Sequence, residues 1–144
     1  MKPSVSCTLS VGVVFAGVTL CSALHADEPS FLEFHAVMRK DQGVVRCGLF
    51  TEKAWLRAPL QSAVADIHNG TAVCVFKSVP KGVYAISAFH DQNNNGKLDT
   101  NFIGLPTEDY CASRDARNTF GPPSFADARF SYAGGMKRLS ARMK

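Results

Sequence analysis

Nothing in this 144-residue chain is apolar for long enough to cross a bilayer comfortably as a helix. Its longest such run, Leu9 to Leu20 (LSVGVVFAGVTL), falls short of the roughly 20 residues that a spanning helix needs. Also missing are C-x-x-C, H-E-x-x-H and G-x-S-x-G, which removes thioredoxin-like exchange, zincin-type hydrolysis and a nucleophile elbow from consideration. There is one tryptophan, and basic residues are not interleaved with aromatics along the chain. Nucleic-acid binding would require that stripe. Lys137, Arg138, Arg142 and Lys144 instead crowd the C-terminal end, as a solvated tail does.

What is present begins with a leader. Lys2 followed by Leu9 to Leu20 has the charge and length of a signal peptide, with small residues that place cleavage after Ala23 or after Ala26. Residues 1–26 are therefore read as a signal peptide and 27–144 as one domain, exported to the periplasm or beyond, with no transmembrane segment in the mature chain. About 120 residues remain, enough for one core. The formal net charge of +4 falls to about +3 without Lys2.

Cysteine usage fits export. Cys7 and Cys21 leave with the leader, so Cys47, Cys74 and Cys111 allow at most one internal disulfide. Cys47 and Cys74 are the candidate pair, both within strand-like runs (VVRCGLF and TAVCVF). The alternative is two small buried hydrophobes that never meet.

The dominant period is two. Leu32, Phe34, Ala36 and Met38 alternate with Glu33, His35 and Val37, and after a turn at Lys40 to Gly43 the set Val45, Cys47, Leu49 continues, which predicts a hairpin. His35 falls on the polar face. Glu52 to Ile67 reads as a long connection with one helical turn, its Trp55 folded over a sheet edge. A turn at His68 to Gly70 leads to a strand over Thr71 to Lys77. Gly82 to His90 has no charge on either face and reads as a central strand covered on both sides. Beyond the polar stretch from Asp91 to Pro123, Ala128, Phe130 and Tyr132 alternate, and Met136 to Met143 makes the last strand. The sum is all-β: an antiparallel sandwich of six to seven strands, transthyretin-like or immunoglobulin-like, with one long loop.

The run from Val79 to Phe125 contains a G-x-Y-A strand, the loop HDQNNNGKLDTN, a G-x-P-x-E-x-Y step and the segment FGPPSF, in that order. With the strands before it, this resembles the secreted bacterial family catalogued as domain of unknown function 2141. The resemblance implies an extracytoplasmic β-sandwich and no particular activity. Cys111 departs from the family pattern, in which a glycine more often follows the tyrosine.

The loop from His90 to Asp99 sets Asp91, Asn93 and Asn95 at alternating positions before Gly96. With the Lys97 carbonyl and Asp99, these are the first five ligand positions of an EF-hand-type loop, so calcium is the expected cofactor. The twelfth position is Phe102 rather than Glu. A further carboxylate would come from Glu108 or, failing that, from Asp109, Asp115 or Asp127, with weak affinity on the order of 10⁻⁴ to 10⁻³ M. The same residues also make a good metal-free turn, because Asx side chains bond their own backbone. Phe102, Ile103 and Leu105, packing on the sandwich, and the rigid Gly121-Pro122-Pro123 turn are expected to help organise the long segment.

Three functional classes follow. The first is a binding or structural module that presents this loop from a rigid scaffold. The second is an accessory domain for an envelope glycan or protein, with Trp55, Tyr110, Phe120 and Phe125 as stacking surfaces and Arg114 and Arg117 gripping an anionic group. The third is a metal-dependent hydrolase built on His90, Asp91, Glu108 and Asp115.

Overall fold

The computed structural model describes residues 30–144; the expected leader and both candidate cleavage sites lie outside the described residues. Eight strands form: β1 (Phe31–Val37), β2 (Val44–Phe50), β3 (Gln61–His68), β4 (Thr71–Lys77), β5 (Gly82–Asp91), β6 (Tyr110–Ala112), β7 (Phe130–Tyr132) and β8 (Met136–Arg142). Between them lie one four-residue helix, α1 (Phe125–Ala128), and 3-10 turns at Glu52–Ala54 and Ser113–Asp115.

The strands hydrogen-bond in the order β6-β5-β2-β3-β4-β1-β8, with β7 attached to β5. Every pairing is antiparallel except β1 with β8, which is parallel. The expected antiparallel sandwich of six to seven strands is thus replaced by a mixed eight-stranded sheet, nearly closed into a barrel. Its ends meet where the Tyr110 and Lys144 amides each donate to the other's carbonyl, at 3.0 and 3.2 Å. Accumulated strand twist brings the two ends together around one apolar interior.

That interior follows from alternation. Leu32, Phe34 and Ala36 of β1, Val45, Cys47 and Leu49 of β2, Cys74 and Phe76 of β4, and Ile86 and Ala88 of β5 all point inward and are buried. Burying each large side chain contributes about 1.5–3 kcal/mol. Cys47 and Cys74 are disulfide-bonded across this interior, joining β2 to β4. Their Cα atoms are 6.4 Å apart although β3 intervenes in the strand order. The approach is possible because β3 pairs with β4 only at Ile67↔Ala72 and His68↔Thr71.

Two local expectations change. β1 and β2 do not form a hairpin: β1 lies between β4 and β8, whereas β2 lies between β3 and β5. Alternation fixes which face of a strand is inward and says nothing about its neighbour. The Glu52 to Ile67 connection contains β3, whose inward residues Ala63 and Ala65 are too small to mark a strand by hydrophobicity.

Outside the barrel a second apolar cluster covers the start of β5. Ala85, Ala112, Phe125 and Ala128 are buried there, with Trp55 packed against them. Trp55 meets Phe50 and Phe125 edge-on and donates its indole N–H to the Pro123 carbonyl at 3.0 Å. Buried Ser113 ties the same region together, accepting from the Ile86 amide and donating to the Ala128 carbonyl.

Candidate functional site

The outward face of β3, β2 and β5 is set by register. Ser62, Gly48 and Ser87 stand opposite one another and form a row of small residues across three strands. The adjacent row is Val64, Arg46 and Phe89, continued onto β6 by Tyr110. At Gly48 a Cβ would come within 2.6 Å of the Phe50 ring, so the glycine lets that ring lie down against the strand. The rows form the floor of a cleft of about 840 Å3. Leu98, Thr100 and Gly104–Pro106 wall one side, and Leu56, Arg57, Pro59, Asn118, Thr119 and Gly121–Pro123 wall the other. Neighbouring strands lie about 4.8 Å apart, so the small-residue row spans roughly 10 Å across the sheet.

The first wall is the expected ion-binding loop. Asp91 is fully buried at its base. Its Oδ1 accepts from the Asn95 amide at 3.0 Å, and its Oδ2 accepts from Arg46 Nε at 2.5 Å and from the Gly96 amide at 2.9 Å. Gly96 has φ +80°, the left-handed conformation that turns this amide inward. Burial raises the Asp91 pKa, but the Arg46 guanidinium and the two amides outweigh it and hold the carboxyl below its ordinary value.

The other loop oxygens are engaged as well. Asn93 Oδ1 accepts from the Asn95 amide and Asn95 Oδ1 from the Lys97 amide. The side-chain amides of Asn93 and Asn95 donate to the two oxygens of Asp99 at 2.7 and 2.8 Å. Glu108, buried, accepts from the Gln92 and Asp99 amides. The structure thus brings Glu108 to Asp91, Asn93, Asn95, Lys97 and Asp99, but as a brace for the backbone. The oxygens of the loop accept from its own amides, and the cation beside Asp91 is Arg46. Among the described residues, no group of three or more His, Cys, Asp or Glu side chains is arranged to hold a metal ion.

Beyond the loop, the hairpin tip from Asn101 to Leu105 is fixed by Asn101 Oδ1, which accepts from the Ile103 and Leu105 amides. Phe102, Ile103 and Leu105 were expected to pack on the sheet. They are exposed instead, Phe102 at 98% and Ile103 at 63%. Phe120, 89% exposed, stands on the segment that walls the opposite side.

The remaining candidates separate. Phe125 is buried under Trp55 and offers no recognition surface. Arg117 donates to the Arg142 carbonyl, and Asp115 accepts from the Arg142 amide, so both serve the barrel seam. Arg114 lies beside Arg129, to whose carbonyl it donates. The Asp109 carbonyl accepts from the His90 amide, and Asp127 is held by the α1 cap Ser124, whose hydroxyl accepts from the Asp127 amide and donates to its carboxylate. The hydrolase set does not assemble. His90 and Asp91 are consecutive on β5, point to opposite faces and are both fully buried, and Asp115 is at the seam. His90 bonds the Gln42 carbonyl through Nε2, while its Nδ1 has no partner among the described residues. Cys111 is also buried, and that burial pushes its thiol up to about 12.

Arg46, Gly48, Ser62 and Ser87 were not singled out by sequence. Each lies on the outward face of its strand, but only the register aligns them. Residues 36–140 match the family described as an uncharacterized protein conserved in bacteria, DUF2141. No curated protein and no solved structure matches the chain.

Proposed function

This chain belongs to the bacterial DUF2141 family, and on that footing we propose that it is an exported, non-catalytic binding module whose ligand seat is the cleft over β3, β2 and β5. The observation that carries the reading is the cleft itself. A volume of about 840 Å3 lies in the range of small-ligand sites, and its floor combines apolar and aromatic side chains with a few hydroxyls. Its walls are held by internal hydrogen bonds, so little ordering is left to oppose binding. Export to the periplasm or the cell exterior is supported by the Cys47–Cys74 disulfide.

Calcium at the Asp91 loop is the competing role for that wall. The loop's own hydrogen bonds and the Arg46 guanidinium support a wall that needs no ion. An envelope glycan or peptide strand is the competing occupant of the cleft, favoured by the hydroxyls of Ser62, Ser87 and Thr119 on its lining.

Blocking the trough tests the seat. The fluorescence of N-phenyl-1-naphthylamine, a neutral apolar probe, is expected to rise saturably with the wild-type protein. Ser87→Phe, which fills the small-residue row, should weaken that binding at least tenfold, about 1.4 kcal/mol, without lowering the unfolding midpoint. Ser62→Trp fills the same row from exposed β3 and serves if Ser87→Phe does not fold. Undiminished binding in a folded blocked variant would refute the seat.

A further inference from the structure

Resting on the cleft as a ligand seat, we propose that its ligand is an anionic amphiphile. The apolar part lies along the Ser62–Gly48–Ser87 row, and the acidic group sits on the terminal nitrogens of Arg46. The argument begins with an asymmetry of charge. Two cationic side chains, Arg46 and Arg57, line the cleft, and among the described residues no Asp or Glu does. The Arg57 side chain donates only to the Lys53 carbonyl and has no acidic partner among the described residues.

Arg46 is held in an unusual way. Its Nε is bound to Asp91 behind the wall, and that carboxylate takes two further bonds from backbone amides. The guanidinium is therefore anchored through one edge. Among the described residues Nη1 and Nη2 have no hydrogen-bond partner, and the side chain is one-third exposed where it lines the cleft. A planar fork fixed in place matches the two oxygens of a carboxylate, or those of a phosphate or sulfonate, with little entropy left to lose. The neighbouring positions supply the other half of the ligand. Phe89 and Val64 flank Arg46 in its row, and the trough beside them has no side chain larger than serine in register. A polar anion alone would leave that apolar floor unused. A neutral hydrocarbon fills the trough but leaves the guanidinium fork to water, so it gains only the apolar half of the contact.

The experiment compares two probes with related aromatic skeletons. 8-Anilinonaphthalene-1-sulfonate carries an acidic group, whereas N-phenyl-1-naphthylamine does not. Wild-type protein should bind the sulfonate roughly tenfold more tightly or better, the range expected of one charge-assisted hydrogen-bonded contact. Arg46→Gln should bring the sulfonate to within about threefold of the neutral probe while leaving the neutral probe unchanged. Arg46→Lys keeps a cation for Asp91 and removes the free fork. It should lose the same preference, so the result does not depend on whether Arg46→Gln folds.

Competition then assigns the source of the acidic group. Displacement of the sulfonate probe by dodecanoate in solution identifies a free acid, and displacement only by phosphatidylglycerol vesicles identifies a lipid headgroup. Either result supports the inference. Equal or tighter binding of the neutral probe overturns the anionic ligand and leaves the seat standing, whereas no binding of either probe overturns both.

Discussion

Asp91 connects the interior of the sheet to the wall of the cleft. Its side chain is inaccessible to water, yet it is charged, because Arg46 and two backbone amides meet both of its oxygens. Removing one partner of such a set leaves the others buried without acceptors, so Asp91→Ala should cost about 3 kcal/mol in urea denaturation. The pH dependence has a definite sign. A carboxyl whose folded pKa is depressed contributes stability that is fully present above its unfolded value, near 3.9, and is lost as pH falls through the folded value. Wild-type protein should therefore lose stability below about pH 4, and the Asp91→Ala variant should show a shallower acid limb. Neither Asp91's burial nor its partner is legible in the sequence. The DxNxNG spacing shows that oxygens converge, but the cation that Asp91 meets is Arg46, 45 residues earlier in the chain.

Among the elements, what could be read and what could not divide along physical lines. β1, β2, β5 and, with Ala128, β7 were marked by apolar alternation, since large apolar residues stand on their inward faces. β3 was missed because alanines face inward, and β6 because its three residues, Tyr110-Cys111-Ala112, carry no alternation of large apolar with polar. The β1–β2 hairpin failed for another reason: a short turn suits both a hairpin and a crossing to the far side of a barrel. The disulfide holds the crossing strands together. Closing a loop over a separation of 27 residues is worth about 3.5 kcal/mol in the chain-entropy account. Cys47→Ala with Cys74→Ala should thus lower stability by roughly that amount, read from the shift in urea midpoint at constant slope. The wall loop carries its own prediction. Its oxygens are met internally, so the unfolding midpoint in EDTA should equal that in millimolar calcium. A bound ion at 100-fold excess over its dissociation constant would instead add about 2.7 kcal/mol, several degrees in a domain of this size. A calcium-dependent rise abolished by Asp91→Ala would return the loop to its ion-binding reading.

At the scale of the whole molecule, near-closure of the sheet separates two environments. The inward face is filled by the disulfide and the large apolar side chains, and the outward face over β3, β2 and β5 is left concave between two braced loops. Exposed Phe102 and Phe120 stand on those opposing loops, and exposed Leu56, Val64 and Leu105 line the cleft itself. Patches of this kind on small proteins mark places of contact. The sequence resemblance reached the correct family and a β-rich scaffold, because the run from Val79 to Phe125 carries the motif that defines both the central strand and the wall. It could not reach the cleft, whose floor is made by three strands distant in sequence and aligned only on folding. The most direct test of the account is a map of amide chemical shifts in the ¹⁵N-labelled mature protein as N-phenyl-1-naphthylamine is added. The account predicts saturable shifts at Gly48, Ser62, Ser87 and Phe89, with β1 and β8 unmoved. Shifts centred on β1 and β8, or none at saturating probe, would contradict it.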